Sequence, residues 1–221
     1  MDNSTSIVLT TGRQAPQKCP TEKLSVIWKA LSLSGVLQNL KSQEFLFHSG
    51  GDVQSIFIVI SGHLLLLKSE TVLDILESGQ SMGAALLSPD QRQQIYPVSA
   101  QALGSCQVLQ IPYQRVTELL KSNQDIQNYF MSQFRQRMDY LQSCRALQNR
   151  PVAHRIAYFL IQKEKLLCNS VITRKVIAKC VCTTTETVIR TLTEWHRNKI
   201  IVCEGREITL LDLNYLQKLC A

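Results

Sequence analysis

Between Val171 and Trp195 the chain reads VITRKVIAKCVCTTTETVIRTLTEW. Thr184, Thr185, Glu186 and Thr187 stand together, and Arg190 follows one helical turn after Glu186. At a helix start, Thr184 and Thr187 are placed to bind phosphate oxygens near the positive end of the dipole. An arginine in the next turn can fork onto the O6 and N7 acceptors of guanine, and a glutamate can accept from the N4 amino group of cytosine. Arg174 and Lys175, at the start of the preceding helical pattern, add cations for a phosphate backbone. This chemistry is directed at a polyanion. The chain shows no nucleophile–base set, phosphate loop or metal-ligand cluster, so an enzyme is not expected. His154 and His196 fall on helices, where a surface role fits better than catalysis.

Two helices must position these side chains. Thr173 is a good N-cap for the first, whose Ile177, Ala178 and Val181 form an inner face. Thr184 is a natural N-cap for the second, and Val188, Leu192 and Trp195 recur on one side of it. The other side then presents Thr185, Glu186, Ile189 and Arg190, as a helix about Thr184–Arg197 would do in a major groove. An ordinary capped helix would also carry Glu186 and Arg190 as an i, i+4 pair. The wider setting favours the groove-reading helix. PVAHRIAYFLIQKEKL is a further helix, with Ile156, Phe159 and Leu160 inward. KIIVCEGREITLLDLNYLQKL reads as a hairpin around Gly205 followed by a short helix. Together they make a winged helix-turn-helix.

Charge is placed to match. The formal net charge of +7 divides into +1 for residues 1–145 and +6 for residues 146–221. A basic terminal domain beside a neutral one points to nucleic acid first and a membrane surface second. No apolar run is long enough to span a bilayer, and the N-terminus lacks a basic start followed by an apolar stretch, so a cytoplasmic protein without membrane contact is expected. The eight cysteines are scattered. Cys180 and Cys182 are the one close pair, without a second pair or histidine to complete a zinc site. Most are expected to be reduced thiols, with a redox role of Cys180 and Cys182 as the minority option.

Upstream, residues 1–20 are polar and are expected to be a flexible arm. A short helix follows from Thr21, with Leu24, Ile27, Trp28 and Leu31 at helical spacing. Short β-rich segments punctuated by Gly, Ser, Pro and Asp then predict an antiparallel sheet or roll. SIFIVISGHLLLL divides at Gly62 and His63 into two strands. From Tyr113 to about Gln148 the pattern is helical, with a break near Ser122 and Asn123. The long helix carries Ile126, Tyr129, Phe130, Phe134, Met138 and Leu141 in an apolar stripe, which a second copy of the chain would cover. Asn149-Arg150-Pro151 ends it. The division expected is an arm at 1–20, a roll-type sensor domain at 21–122, a dimerisation helix at 123–148 and a winged helix-turn-helix at 149–221. The fold class is α+β.

ITRKVIAKCVCTTTETVIRTL resembles the helix-turn-helix of the catabolite activator / fumarate-nitrate regulator (CRP/FNR) family of transcription regulators. That family typically shows T-R-x-x-I-A/G and then S-R-E-T-V-x-R. Thr173-Arg174, Ala178 and Thr184 to Arg190 occupy those places. FLFHSGGDVQSIFIVISGHLLLL is similar to the family's entry into a cyclic-nucleotide-binding-like β-roll. The resemblance runs from about Thr21 to the C-terminus, and implies a homodimer with double-stranded DNA and RNA polymerase as partners. Thr185 stands where the family's first base-reading arginine would be, and Cys182 where its turn glycine would be.

The family's cyclic-nucleotide members hold the ribose with a Glu and the phosphate with an Arg. Here Gly83 is present, but Ala84 or Ala85 takes the Glu position, and Gln94–Val98 holds no arginine. Arg92 comes too early. A buried cyclic phosphate without a cation is costly, so cAMP is not expected in the candidate pocket of Gly83, Ala84, Ala85, Val98 and Ser99. The missing arginine also argues against an acidic metabolite there. Cys19 and Cys106 lack companions at cluster spacing, which argues against the family's iron–sulfur centre. His48 and His63 read as turn or strand residues rather than haem ligands. No cofactor is expected, and an effector is not identified. The competing reading is a regulatory ligand- or protein-binding module whose basic domain contacts protein rather than DNA.

Overall fold

A computed structural model describes residues 22–83, 95–167 and 172–220. The expected arm at 1–20 lies outside the described residues, as do Ala84, Ala85 and Arg92. Helix α1 (Glu22–Leu33) leads into eight strands: β1 (Val36–Leu40), β2 (Phe45–Phe47), β3 (Ser55–Ser61), β4 (Leu64–Lys68), β5 (Thr71–Leu76), β6 (Ser81–Met82), β7 (Ser99–Ala102) and β8 (Cys106–Pro112). They form two four-stranded antiparallel sheets in the orders β1-β8-β3-β6 and β2-β7-β4-β5.

The two halves of SIFIVISGHLLLL are strands, but they lie in different sheets. Alternation explains their continuous apolar character. Phe57 and Val59 of β3 and Leu64 and Leu66 of β4 fill the interior of the roll. Ile56 and Ile58 point the other way, against α1 and the helices that follow the roll. Leu65 and Leu67 turn outward onto the C-terminal helices.

The chain crosses between the sheets at Gly62, whose φ is +77°. A Cβ there would press into the Ser105 carbonyl oxygen and lie 2.8 Å from the Cys106 Cα. Gly62→Ala therefore combines a left-handed backbone with a backbone clash. It is expected to destabilise the protein by more than about 1 kcal/mol in urea unfolding. Gly50→Ala is a weaker control, since its φ is +86° but nothing lies within 4 Å of the added Cβ.

Helices α2 (Tyr113–Ser122) and α3 (Gln124–Ala146) follow. They part at Asn123, whose side chain accepts from the backbone N–H groups of Asp125 and Ile126. Pro151 then precedes α4 (Val152–Gln162), and a break at Lys163 leads to α5 (Glu164–Leu167). The C-terminal unit is completed by α6 (Arg174–Cys180), α7 (Thr185–Arg197), the hairpin β9 (Ile201–Glu204) and β10 (Glu207–Leu210), and α8 (Leu213–Cys220).

The core of this unit is continuous with the outer face of the roll. Ile156, Leu160, Ile177, Val188 and Trp195 pack in one cluster with Leu65, Leu67, Val72 and Ile75 of β4 and β5. At the seam Asp74 of β5 is buried. Lys163 Nζ lies 3.1 Å from Asp74 Oδ1, donates to the Ile75 carbonyl at 2.9 Å, and is 3.9 Å from Glu77. Arg137 of α3 brings Nε to 3.5 Å from the same carboxylate and donates to the Ser81 carbonyl at 3.0 Å. The Lys163 ammonium also sits 4.9 Å from the centroid of the Tyr140 ring. One carboxylate thus joins the roll, the long helix and the C-terminal unit.

Candidate nucleic-acid interface

Helices α6 and α7 are each opened by the threonine expected. Thr173 Oγ1 accepts from the Val176 N–H at 3.3 Å, and Thr184 Oγ1 from the Thr187 N–H at 3.2 Å. Val188, Leu192 and Trp195 are buried, with Val188 fully so. Their burial turns Glu186, Ile189 and Arg190 to solvent, with Thr185 and Thr187 half-buried beside them. Ile189 keeps half its surface exposed, an apolar point on an otherwise polar face.

The carboxylate of Glu186 turns back on its own helix. Hydrogen bonds from its backbone N–H and from the Thr184 hydroxyl hold its pKa below the ordinary value. The group is ionised at neutral pH and ready to accept a donor. Lys175 is exposed at the start of α6. Arg174 has a second task, because its guanidinium donates to the Arg206 carbonyl at 2.9 Å and ties α6 to the tip of the β9–β10 wing. Lys179 faces the roll instead, 3.2 Å from Glu70.

The connector between the two helices is made without glycine. Cys182 adopts φ +52°, the left-handed region where glycine is favoured. The turn is held from outside: Arg155 of α4 donates to the carbonyls of Val181 at 2.8 Å and Cys182 at 3.3 Å, and the Thr183 N–H reaches the Ala178 carbonyl at 3.0 Å. Sequence reading missed Arg155, since nothing in helical periodicity says that a residue 27 positions upstream closes this turn.

The expected dimer stripe divides. Ile126, Tyr129 and Phe130 are buried within their own chain, packed with Ile27, Leu31, Ile56 and Ile111, and Tyr129 donates to the Gly79 carbonyl at 2.8 Å. Side chains already covered by the roll have no surface left for a partner, which corrects the expectation for these three. Phe134 and Met138 are exposed, as is Met131, and Leu141 is half-buried. The uncovered part of the expected stripe therefore starts at Phe134, about two turns after Ile126.

Between the roll and α3 lies a cavity of about 230 Å³. Gly83 and Val98 line it, with Leu66, Met82, Phe134 and Arg137. Ser99 is committed elsewhere, its hydroxyl accepting from the Ser49 N–H at 2.9 Å. Arg137 is the cationic wall among the described residues, and it was missed because it comes from the long helix and not from the roll segments. Burial lowers its pKa, and the Asp74 carboxylate opposes that shift only in part. Of the other candidates, His48 stacks on Phe45 with centroids 4.4 Å apart. The pKa of His63 is lowered by burial and by Lys163. Cys106 is buried in the roll, which pushes its thiol up to about 11. Among the described residues no group of three His, Cys, Asp or Glu side chains is arranged to hold a metal ion. Nor is any helix long and apolar enough to cross a membrane.

Known proteins share both halves of this arrangement. Residues 37–123 match the model of the cyclic nucleotide-binding domain, and residues 154–219 that of the Crp-like helix-turn-helix domain. The transcriptional activator protein Anr of Pseudomonas aeruginosa is 30% identical over 187 residues, covering 78% of this chain and 75% of the relative. FixK2 from Bradyrhizobium japonicum superposes with a TM-score of 0.73 at 17% identity, over 85% of this chain and 98% of that one. A variant of CooA from Carboxydothermus hydrogenoformans gives 0.72 at 16% identity, over 86% and 90%. The two matched domains and the Anr relative define a transcription regulator with a helix-turn-helix DNA-binding domain, not an enzyme. The chain belongs to the CRP/FNR family.

Proposed function

We propose that this regulator acts as a homodimer that reads palindromic duplex DNA with the first turns of α7, and that its sensor does not bind cAMP in the way usual for the family. The observation that carries the reading is the two-sidedness of α7: Val188, Leu192 and Trp195 are spent on the core, while Glu186, Ile189 and Arg190 stand in solvent beside a capped helix start. In this reading Arg190 takes a guanine, Glu186 a cytosine amino group, and Ile189 a thymine methyl. Thr184, Thr187, Arg174 and Lys175 hold phosphates, and Thr185 replaces an arginine contact, so the half-site departs from one that arginine would read. Residues 123–148 serve as the dimer helix, 149–221 as the DNA-binding domain and 21–122 as the sensor. RNA polymerase is the partner that a DNA-bound activator would recruit.

The cavity supports the sensor reading. Its walls are largely apolar, and the charge of Arg137 is already spent on Asp74. A cyclic phosphate placed there would meet that carboxylate as well as the guanidinium, an unfavourable exchange for a buried anion.

The test is selection of bound sequences from a random duplex library by the purified protein, without added ligand, at two salt concentrations. A palindrome with half-sites about one helical turn apart is expected, with affinity falling steeply as salt rises. Enrichment that is independent of sequence would end the base-reading assignment. A second check concerns the dimer. Phe134→Glu combined with Met138→Glu places charge on side chains exposed in the protomer. The variant is expected to run as a folded monomer in light scattering, whereas Ile126→Ala should lower the stability of the protomer itself by about 2–5 kcal/mol.

A further inference from the structure

A second cavity, of about 270 Å³, lies where the roll, α3 and the DNA-binding unit meet, and three cysteines open onto it: Cys144, Cys180 and Cys182. Cys144 is on α3, and the other two flank the end of α6. Electrostatic interaction links them in part. Cys144 responds to Cys182, and Cys180 to both. They differ in access, since Cys182 is exposed while Cys144 and Cys180 are half-buried. Arg155 is a further wall of the cavity. Its guanidinium lies on the Cys182 carbonyl, and its buried Nε has no hydrogen-bond partner among the described residues.

We propose that this cavity is a peroxide-sensing thiol site in which Cys182 is oxidised and Cys144 resolves it, forming a disulfide between the DNA-reading turn and the long helix. The Cys182 thiolate attacks one oxygen of hydrogen peroxide, and the other oxygen leaves as hydroxide and takes a proton to become water. The resulting sulfenic acid is attacked by the Cys144 sulfur, which gives up its proton, and the sulfenic oxygen leaves as a second water. Two thiols are oxidised by two electrons in all, and the peroxide is reduced by two. Burial raises the pKa of Cys144 and Cys180, and the Tyr140 hydroxyl opposes that rise at Cys144 by hydrogen bonding to its sulfur. Cys180 lies two residues from Cys182 on the same turn, whereas Cys144 faces the cavity from α3, so Cys144 is the resolving partner.

Cys182 stands two residues before the Thr184 cap. Drawing it onto α3 shifts the first turn of α7, where the base contacts are made. That part of the inference rests on the reading proposed for α7, and the thiol chemistry does not.

The experiment treats the reduced full chain with hydrogen peroxide, blocks free thiols, and digests with trypsin without reduction. Cys144 then lies in the peptide Met138–Arg145, and Cys180 and Cys182 share the peptide Cys180–Arg190. A link between these two peptides is expected within one chain. It should persist in Cys180→Ser and vanish in Cys144→Ser and Cys182→Ser. Affinity for the selected duplex should fall about tenfold or more on oxidation, return with dithiothreitol, and stay unchanged by peroxide in Cys144→Ser. A Cys180–Cys182 bond, a link between chains, over-oxidation of Cys182 without a link, or a link that leaves DNA affinity unchanged would each overturn the proposal. The peptide map needs no duplex, so a failure of sequence reading and a failure of the thiol site are seen separately.

Discussion

Arg190→Ala is expected to leave the protein folded and dimeric but without preference for its site. The side chain stands in solvent on the first turns of α7, so its loss removes no core packing. A bidentate arginine–guanine contact carries about 1–3 kcal/mol of discrimination, and a dimer loses it twice. Specific affinity should therefore fall by about 2–6 kcal/mol, towards the non-specific level. Lys175→Ala should behave differently, weakening all sequences alike and reducing the salt dependence by about one phosphate contact. Fluorescence anisotropy on selected and scrambled duplexes at two salt concentrations separates the two patterns. Half-site preference retained in Arg190→Ala would remove this residue from the reading face.

The second large effect lies far from the DNA. Asp74→Asn keeps the shape of the side chain but takes the carboxylate away from the guanidinium of Arg137 and from the buried Lys163, which keeps Glu77 at 3.9 Å. Removing one partner of a buried ion pair costs about 3–5 kcal/mol, because the other charge stays out of water without compensation. The urea midpoint should fall accordingly. The double variant Asp74→Leu with Lys163→Met should recover most of the loss, since replacing both charges by apolar groups is close to neutral in many proteins. Loss of less than about 1 kcal/mol in Asp74→Asn would mean that water reaches this seam.

Much of the C-terminal unit was legible because its signals are local. Thr173 and Thr184 announce helix starts by side-chain chemistry, and Val188, Leu192 and Trp195 mark a face by spacing alone. Cys182 was legible only through the family resemblance, as standing where a turn glycine is usual, which left a strained positive φ or a rearranged turn open; the structure gives it φ +52°. The roll was legible as strands but not as two sheets. SIFIV and LLLL are apolar throughout because both faces are covered, so alternation gives no hint of which residue faces which layer. The stripe on α3 carried the same ambiguity. Periodicity shows that Ile126, Tyr129 and Phe130 are inward-facing, but not whether the cover is the same chain or another copy. Arg137, Arg155, Asp74 and Lys163 left no signal, since each draws its role from a neighbour more than 20 residues away.

The shared carboxylate of Asp74 also has a thermodynamic meaning. Arg137 reaches it from a wall of the cavity between the roll and α3, and Lys163 from the break between α4 and α5 of the C-terminal unit. An occupant that moved Arg137 and a swing of the C-terminal unit that moved Lys163 would act on one and the same group. Two binding events that each changed the hold on a common group would be coupled, and such coupling is reciprocal. If an occupant of the cavity shifts DNA affinity by some factor, DNA shifts the affinity of that occupant by the same factor. A duplex carrying the selected site is then itself a reagent for finding the occupant, because it favours every compound that favours the bound state.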